Sequence, residues 1–359
     1  MIIDFMSNLD ISSNLVREFY KNNWKRPVIL SDEKFYNWLF RSNGNEDSCL
    51  VAYDDKKNCI AGVMGVNRRE FYLDQKVYQA GELTTWIIDE NYRGSNVAVR
   101  IIYKLQENFD FLIGMGITDA ALPIYLRSGF RYLKYIPRYI KVLKFENIKQ
   151  HCQFSPLALK LIKSFSQMKK IPFDQGSVSK EMIDAAFKKQ LKVCNLYARD
   201  ADSIYWRYNN HPYFQYQCFA IKCKKEEDFS LVVIRIQNVN NSIKVLHIMD
   251  IIGNEKNILA VMTFIQEFSF DHDIDIIDFY CTNSNIGKYF LSMGWFSSVD
   301  DQYLKIPHLF SPIELREPTT TSLIYWSRQY MMEMSDISKL YITKQDADLD
   351  RPTLAFLGD

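Results

Sequence analysis

ELTTWIIDENYRGSNVA, residues 82–98, turns a strand sharply into a helix. The run from Leu83 to Ile88 is apolar and rich in threonine and isoleucine, which reads as a buried strand, and an amphipathic run begins near Gly94. Small or left-handed-tolerant residues at Gly94, Ser95, Asn96 and Ala98 let a ligand approach the backbone. The first N–H groups of the following helix have no intrahelical acceptors. Such a turn can hold a pyrophosphate, with the helix dipole and Arg93 adding positive potential. The same residues also suit a plain capped turn, and the loop alone does not choose between the two.

Downstream, a second apolar strand, Phe109 to Met115, leads into TDAALPIYLRSGF at residues 118–130. The pair Arg93-x-x-Asn96-x-Ala98 and Tyr125-Leu126-Arg127-Ser128-Gly129-Phe130 resembles the GNAT acyltransferase family. In that family an Arg/Gln-x-x-Gly-x-Gly/Ala signature cradles the pyrophosphate of acyl-coenzyme A. The resemblance therefore implies coenzyme contacts at Arg93, Gly94, Ser95, Asn96, Val97 and Ala98, and along Trp86, Ile87 and Ile88, where a backbone N–H polarises the thioester carbonyl. It also implies that Tyr125 lies near the sulfur and protonates the departing thiolate. Asn96 stands where the family usually has glycine, and asparagine accepts left-handed geometry better than other residues. Strand alternation puts Glu82, the candidate base, on one face with Thr84, Trp86 and Ile88.

With 359 residues, 47% of them hydrophobic and 14% aromatic, the chain is long enough for two domains. Its 44 basic and 43 acidic residues leave a net charge of +1, which indicates no general attraction to nucleic acid or anionic membrane. Seven scattered cysteines without a Cys-x-x-Cys pair read as reduced, and five histidines without ligand spacing predict no metal site. The start, MIIDFMSNLD, lacks a secretory pattern and no apolar run is long enough to span a bilayer, so a cytoplasmic location is expected.

Helices are expected over residues 10–21 and 31–41, the second capped by Ser31. Strands follow at 49–53, 59–66 and 78–88, a helix at 95–109, a strand at 110–115, a helix at 119–127, and strands at 130–133 and 139–143. This is an α/β layout with a mixed central sheet and helices on both faces. The second half repeats it. Gln217–Cys223 and Phe229–Ile236 echo the first hairpin, Ile243–Ile252 the strand before the loop, Ile274–Tyr280 the strand after it, and Tyr289 to Trp295 the Tyr125–Phe130 segment. Residues 1–145 thus read as the catalytic domain. Residues 146–175 read as a linker with a helix over 155–168, and residues 176–359 as a degenerate copy with a tail. The second loop, Gly253-Asn254-Glu255-Lys256-Asn257, has no arginine and places a carboxylate where phosphate would sit, so a second coenzyme site is not expected.

The whole arrangement resembles tandem GNAT proteins in which one copy is catalytic and the other walls the acceptor. Several of these acylate nucleotide-linked amino sugars for surface polysaccharides such as the O-antigen of lipopolysaccharide. The resemblance implies transfer of an acetyl or short hydroxyacyl group from acetyl-CoA or 3-hydroxybutyryl-CoA to a dTDP- or UDP-linked amino sugar. Trp206, Arg207 and Tyr208 are expected to stack on and pair with that acceptor. Asp346 and Asp348, in a tail of alternating carboxylates, are expected to meet its amine or hydroxyls. Two other readings stay open: a GNAT-fold scaffold without turnover, and peptide or polyamine acetylation, which predicts an acidic groove.

Overall fold

The computed structural model describes the chain apart from residues 25–27, 42–47, 165–169, 240–241, 300–302, 311–312, 316–319 and 354–359. The first half runs β1 (Ile2–Phe5), α1 (Ser13–Asn23), α2 (Glu33–Phe40), β2 (Leu50–Asp54), β3 (Cys59–Leu73), β4 (Lys76–Ile88), α3 (Val97–Asn108), β5 (Phe111–Met115), α4 (Leu122–Arg127) and β6 (Arg131–Leu133). Then come β7 (Arg138–Val142), β8 (Phe173–Gly176), α5 (Lys180–Gln190), β9 (Leu196–Tyr197), β10 (Gln217–Cys223), β11 (Ser230–Val239), β12 (Ile243–Ile252), α6 (Ile258–Asp271), β13 (Ile276–Tyr280), α7 (Ser284–Ser292), β14 (Phe296–Ser297) and β15 (Leu323–Ser327).

Local chemistry sets the ends of these elements. Ser12 caps α1 by accepting from the Leu15 amide, and α2 is capped by Asp32, which accepts from Phe35. Ser31, the expected cap, instead donates its hydroxyl to the Val28 carbonyl at 2.9 Å. Asp74 and Gln75, at φ 45° and 66°, make the two-residue turn between β3 and β4, as the twist of an antiparallel hairpin requires.

Among the described residues the strands build one sheet of eight and one of seven, both mixed and both flanked by helices. The first has the order β1-β2-β3-β4-β5-β15-β6, with β9 added to β3, and β4 and β5 are parallel. The second has the order β14-β7-β13-β12-β11-β10-β8, with β12 and β13 parallel. Leu83, Ile101, Leu105, Tyr125 and Phe130 pack one face of the first sheet under α3 and α4. Val16, Tyr20, Phe35 and Tyr36 pack the other face under α1 and α2. The rest of that second face, around Phe71 and Ala80, meets Tyr197, Tyr280 and Ile342 of the second half.

The strand order corrects the expected partition at residue 145. β7, expected to end the first domain, pairs with β13 and β14 in the second sheet, while β15 lies between β5 and β6 in the first. Each half lends one strand to the other. The two crossing segments run side by side, with the Ile136 N–H donating to the Thr321 carbonyl at 2.8 Å and the Thr320 hydroxyl to the Ile136 carbonyl. Alternation along a strand selects which side chains are buried, not which sheet receives them. The expected linker is also structured: Gln153–Phe154 pairs with Leu304–Lys305, and β8 joins the second sheet. Its helix covers Pro156–Ser164, and residues 165–168 of the expected 155–168 span lie outside the described residues.

Candidate active site

The site begins where β4 leaves β5. Their pairing runs from Ala80 opposite Phe111 to Leu83 opposite Gly114 and stops there, while β4 continues to Ile88. On the side away from β3, Thr84–Ile88 therefore have no strand neighbour among the described residues. A β-bulge lies at the same point: Met64 faces Trp86 and Val66 faces Leu83, so two steps on β3 span three on β4. The extra residue flips the alternation. Glu82, opposite Asn67, faces away from α3, whereas Trp86 and Ile88 pack with Leu83 beneath it. The expectation that Glu82 shares a face with Trp86 and Ile88 is corrected by this bulge. Thr84 Oγ1, Trp86 Nε1 and both amide atoms of Asn67 are buried here without partners among the described residues, an unusual local concentration of unpaired polar groups.

The loop after Ile88 passes through a single turn at Glu90–Tyr92 into Arg93 and Gly94 and enters α3 at Val97. Gly94 has φ +80° and a Cβ placed on it would meet nothing within 4 Å, so glycine is required by the backbone and the space before it is open. Asn96 has φ −82° and ψ 5°. It is not left-handed, so the residue replacing the family's glycine carries no strain. The amides of Gly94, Asn96, Ala98 and Val99 donate to no acceptor among the described residues, and Arg93 to Asn96 are exposed. Arg93 is held by one bond, Nε to the Ile88 carbonyl at 3.2 Å, which leaves its terminal nitrogens facing outward. The result is a set of unsatisfied donors at a helix start, beside the open edge of the strand.

Tyr125, on α4, packs edge-on against Trp86 with ring centroids 5.2 Å apart and against Phe130 at 5.0 Å. Burial alone pushes its hydroxyl above the ordinary tyrosine range, and that hydroxyl has no hydrogen bond among the described residues. Gly129 at φ +84° ends the helix and brings the Phe130 amide back to the Tyr125 carbonyl at 3.1 Å.

The second copy is built alike but closed. Its β11–β12 pair carries the same bulge, and β12–β13 pairing ends at Ile248 opposite Phe279. Beyond that point the Tyr341 hydroxyl accepts from the Ile251 amide at 3.1 Å and donates to its carbonyl at 2.7 Å, plugging the split. Gly253 sits against Ser230, and buried Asn257 ties the loop to Cys223, Asp228 and Ser230. The Trp295 amide returns to the carbonyl of Phe290, not Tyr289, so the residue matching Tyr125 is a phenylalanine with no hydroxyl.

The tail lies between the halves. Asp346 is fully buried, with Oδ1 3.2 Å from Arg69 Nη1 and Oδ2 2.5 Å from Arg199 Nη2. Arg69 also binds Glu82 at 3.0 Å, and Arg199 binds Asp250 at 2.6 Å. Burial raises the Glu82 carboxyl although Arg69 and Arg207 pull it down. Glu82 is thus enclosed within an ion-pair network rather than lying at a solvated strand end. Trp206 stacks on Trp38, and each indole N–H donates to the other's carbonyl, at 3.0 and 2.9 Å. Tyr208 is buried with its hydroxyl 3.1 Å from Gln345 Oε1, and buried Arg207 donates to the Ala347 carbonyl at 2.6 Å. These three hold the joint between the halves, which corrects their expected place on the acceptor. Helical aromatic spacing marked burial, not a stacking face. Asp348 differs from Asp346: its Oδ2 accepts from Thr85 Oγ1 at 3.2 Å and from Arg351 at 2.7 Å, at the bulge itself.

A cavity of about 390 Å³ opens beside the tail, lined by Tyr213, Phe214, Tyr280 and Phe310 and by the cations Arg138, Arg235, Lys344 and Arg351. Asp350 also faces it; burial would raise this carboxyl, but Arg235 and Lys344 hold it below the usual range. Arg351 Nη1 lies 3.4 Å from Thr85 Oγ1, so one side chain joins the cavity to the split strand. Sequence reading missed Arg138, Arg235, Lys344 and Arg351, which come from three distant segments and share no motif.

Residues 12–130, from α1 to the turn after α4, match the family model of the acetyltransferase (GNAT) family. The fold is shared with a GCN5-related N-acetyltransferase from Anabaena variabilis ATCC 29413, at 12% identity and TM-score 0.50, over 90% of this chain and 72% of that one. It is also shared with an Enterococcus faecalis V583 protein described as a probable N-acyltransferase, at 11% identity and TM-score 0.53, over 77% of this chain and 64% of that one. No curated protein matches the sequence. The matched segment carries the open cradle and Tyr125, and its likeness to that family supports acyl-coenzyme A-dependent N-acyl transfer. Among the described residues no helix is long and apolar enough to cross a membrane.

Proposed function

We propose that the chain transfers an acetyl or short hydroxyacyl group, such as 3-hydroxybutyryl, from acyl-coenzyme A to the amino group of a dTDP- or UDP-linked amino sugar, by direct attack in a ternary complex. The observation that carries this reading is the open cradle of four free amides and Arg93, continuous with the unpaired edge of β4. There the loop from Arg93 to Ala98 holds the diphosphate, and the pantetheine lies along Trp86, Ile87 and Ile88 as a substitute strand. A backbone N–H of Ile87 or Ile88 polarises the thioester carbonyl, and Tyr125 protonates the leaving thiolate. Glu82, kept basic by burial, assists proton removal from within its network.

The acceptor occupies the cavity on the far side of the tail, whose volume falls within the roughly 300–1,000 Å³ of small-molecule pockets. Its rings suit a base or sugar face, and its four cations, paired with the three carboxylates Asp278, Asp348 and Asp350, leave one positive charge in excess toward a diphosphate. This cavity is not the acidic groove that polyamine acceptors call for. Thiol release from acetyl- and 3-hydroxybutyryl-coenzyme A against a panel of dTDP- and UDP-linked amino sugars tests the proposal. Turnover with at least one sugar that is lost in Arg235→Ala supports it. Coenzyme binding without turnover on any member of the panel rejects the sugar assignment.

A further inference from the structure

The three carboxylates of the tail are held very differently. Asp346 is fixed by two buried arginines, and Asp350 by both Arg235 nitrogens and the Tyr216 hydroxyl. Asp348 has only Thr85 Oγ1 and Arg351, whose side chain is 33% exposed. The other carboxylate oxygen, Oδ1, accepts no hydrogen bond among the described residues. Thr85 sits in the bulge just past the point where β5 departs, which is where the thioester lies in the reading above. Arg351 Nη1 therefore donates to a carboxylate at 2.7 Å and a hydroxyl at 3.4 Å, while the same residue lines the cationic cavity.

A primary ammonium entering from that cavity would make the same two contacts. We propose that Asp348 and Thr85 form the receptor for the acceptor's ammonium group, and that Arg351 holds that place until the acceptor displaces it. This rests on the coenzyme and acceptor reading above. The pair is partly buried, its arginine 33% and its aspartate 13% exposed, and an ammonium that displaces the guanidinium keeps the carboxylate paired, so the exchange leaves no bare buried charge. The carboxylate then fixes the nitrogen beside the thioester, while the rest of the acceptor stays in the cavity. Asp348 is a positioning group in this scheme, and Arg351 sets the threshold that a weakly held amine must exceed.

The test is thiol release from acetyl-coenzyme A with 2-aminoethanol as the amine probe, alongside calorimetric binding of acetyl-coenzyme A. In Arg351→Ala the kcat/KM for the amine rises by up to roughly fivefold. In Asp348→Asn it falls by about tenfold or more through KM. Thr85→Val, which removes a hydroxyl only, raises KM in the same direction as Asp348→Asn. Acetyl-coenzyme A affinity is kept in all three. If Arg351→Ala and Asp348→Asn lose rate together, or if Arg351→Ala binds acetyl-coenzyme A yet turns over no amine, the assignment is overturned. A wild-type protein that binds no acetyl-coenzyme A removes the coenzyme reading and this assignment with it.

Discussion

Arg93→Ala should weaken acetyl-coenzyme A without affecting acetyl-pantetheine, which lacks the diphosphate. The guanidinium has one bond, to the Ile88 carbonyl, so its two terminal nitrogens can engage phosphate oxygens without breaking anything else. A hydrogen bond between charged partners contributes about 1.5–3 kcal/mol, and an exposed arginine belongs at the lower end of that range. A loss of about 1.5–2 kcal/mol corresponds to a dissociation constant raised roughly 10- to 30-fold. The four backbone amides remain, so binding weakens rather than vanishes, and Arg93→Glu is worse because a carboxylate then faces the phosphates. Isothermal titration with both thioesters at low and high salt measures this, and the wild type should show the steeper salt dependence. An equal loss for acetyl-pantetheine would refute the diphosphate assignment, as would an unchanged affinity for acetyl-coenzyme A.

Tyr125→Phe should lower kcat by roughly 10²–10⁴-fold with little change in melting temperature, because the hydroxyl acts as an acid and has no internal partner. Since burial raises its pKa, the protonated form persists to higher pH. The alkaline limb of kcat should therefore lie above the ordinary tyrosine value of about 10, and a fall assigned to Tyr125 at pH 9 contradicts it. Asp346→Ala should destabilise the protein by about 3–5 kcal/mol in denaturant melts, because it strips a buried partner from both Arg69 and Arg199; a loss below about 1 kcal/mol argues against the network. Tyr341→Phe removes the hydroxyl that bonds the Ile251 amide and carbonyl, while that amide keeps Asp250 Oδ1 at 3.0 Å, and should cost about 0.5–1.5 kcal/mol in thermal melts without changing acetyl-coenzyme A affinity.

The cradle was legible because its determinants are consecutive: a strand, a glycine with positive φ, and a helix start all lie within residues 82–98. The tandem plan was legible from the repeated order of hairpin, strand, helix and strand. Alternation failed at Thr84–Thr85, where a single inserted residue redirects every later side chain and leaves no trace in the apolar pattern. The echo of Tyr125 slipped by one position because Tyr289 and Phe290 are adjacent aromatics, and only the helix-ending bond to the Phe290 carbonyl fixes the register. The plugging of the second split by Tyr341 lay outside the loop in which degeneracy was sought. The site depends on a tail more than two hundred and fifty residues from Thr85, and no local periodicity reports a pairing at that range.

The reciprocal lending of β7 and β15 has a bearing on how this protein comes into being. β5 is synthesised long before β15, yet Ile113 must wait for Tyr325 before that side of the strand is covered. Until then the nascent first half presents bare amides and carbonyls along an apolar edge, the kind of surface that recruits foreign strands. The first sheet is thus completed only once β15 has left the ribosome. A cut anywhere between β7 and β15 would leave each sheet lacking a strand that the other piece carries, so the two halves stand or fall as one unit.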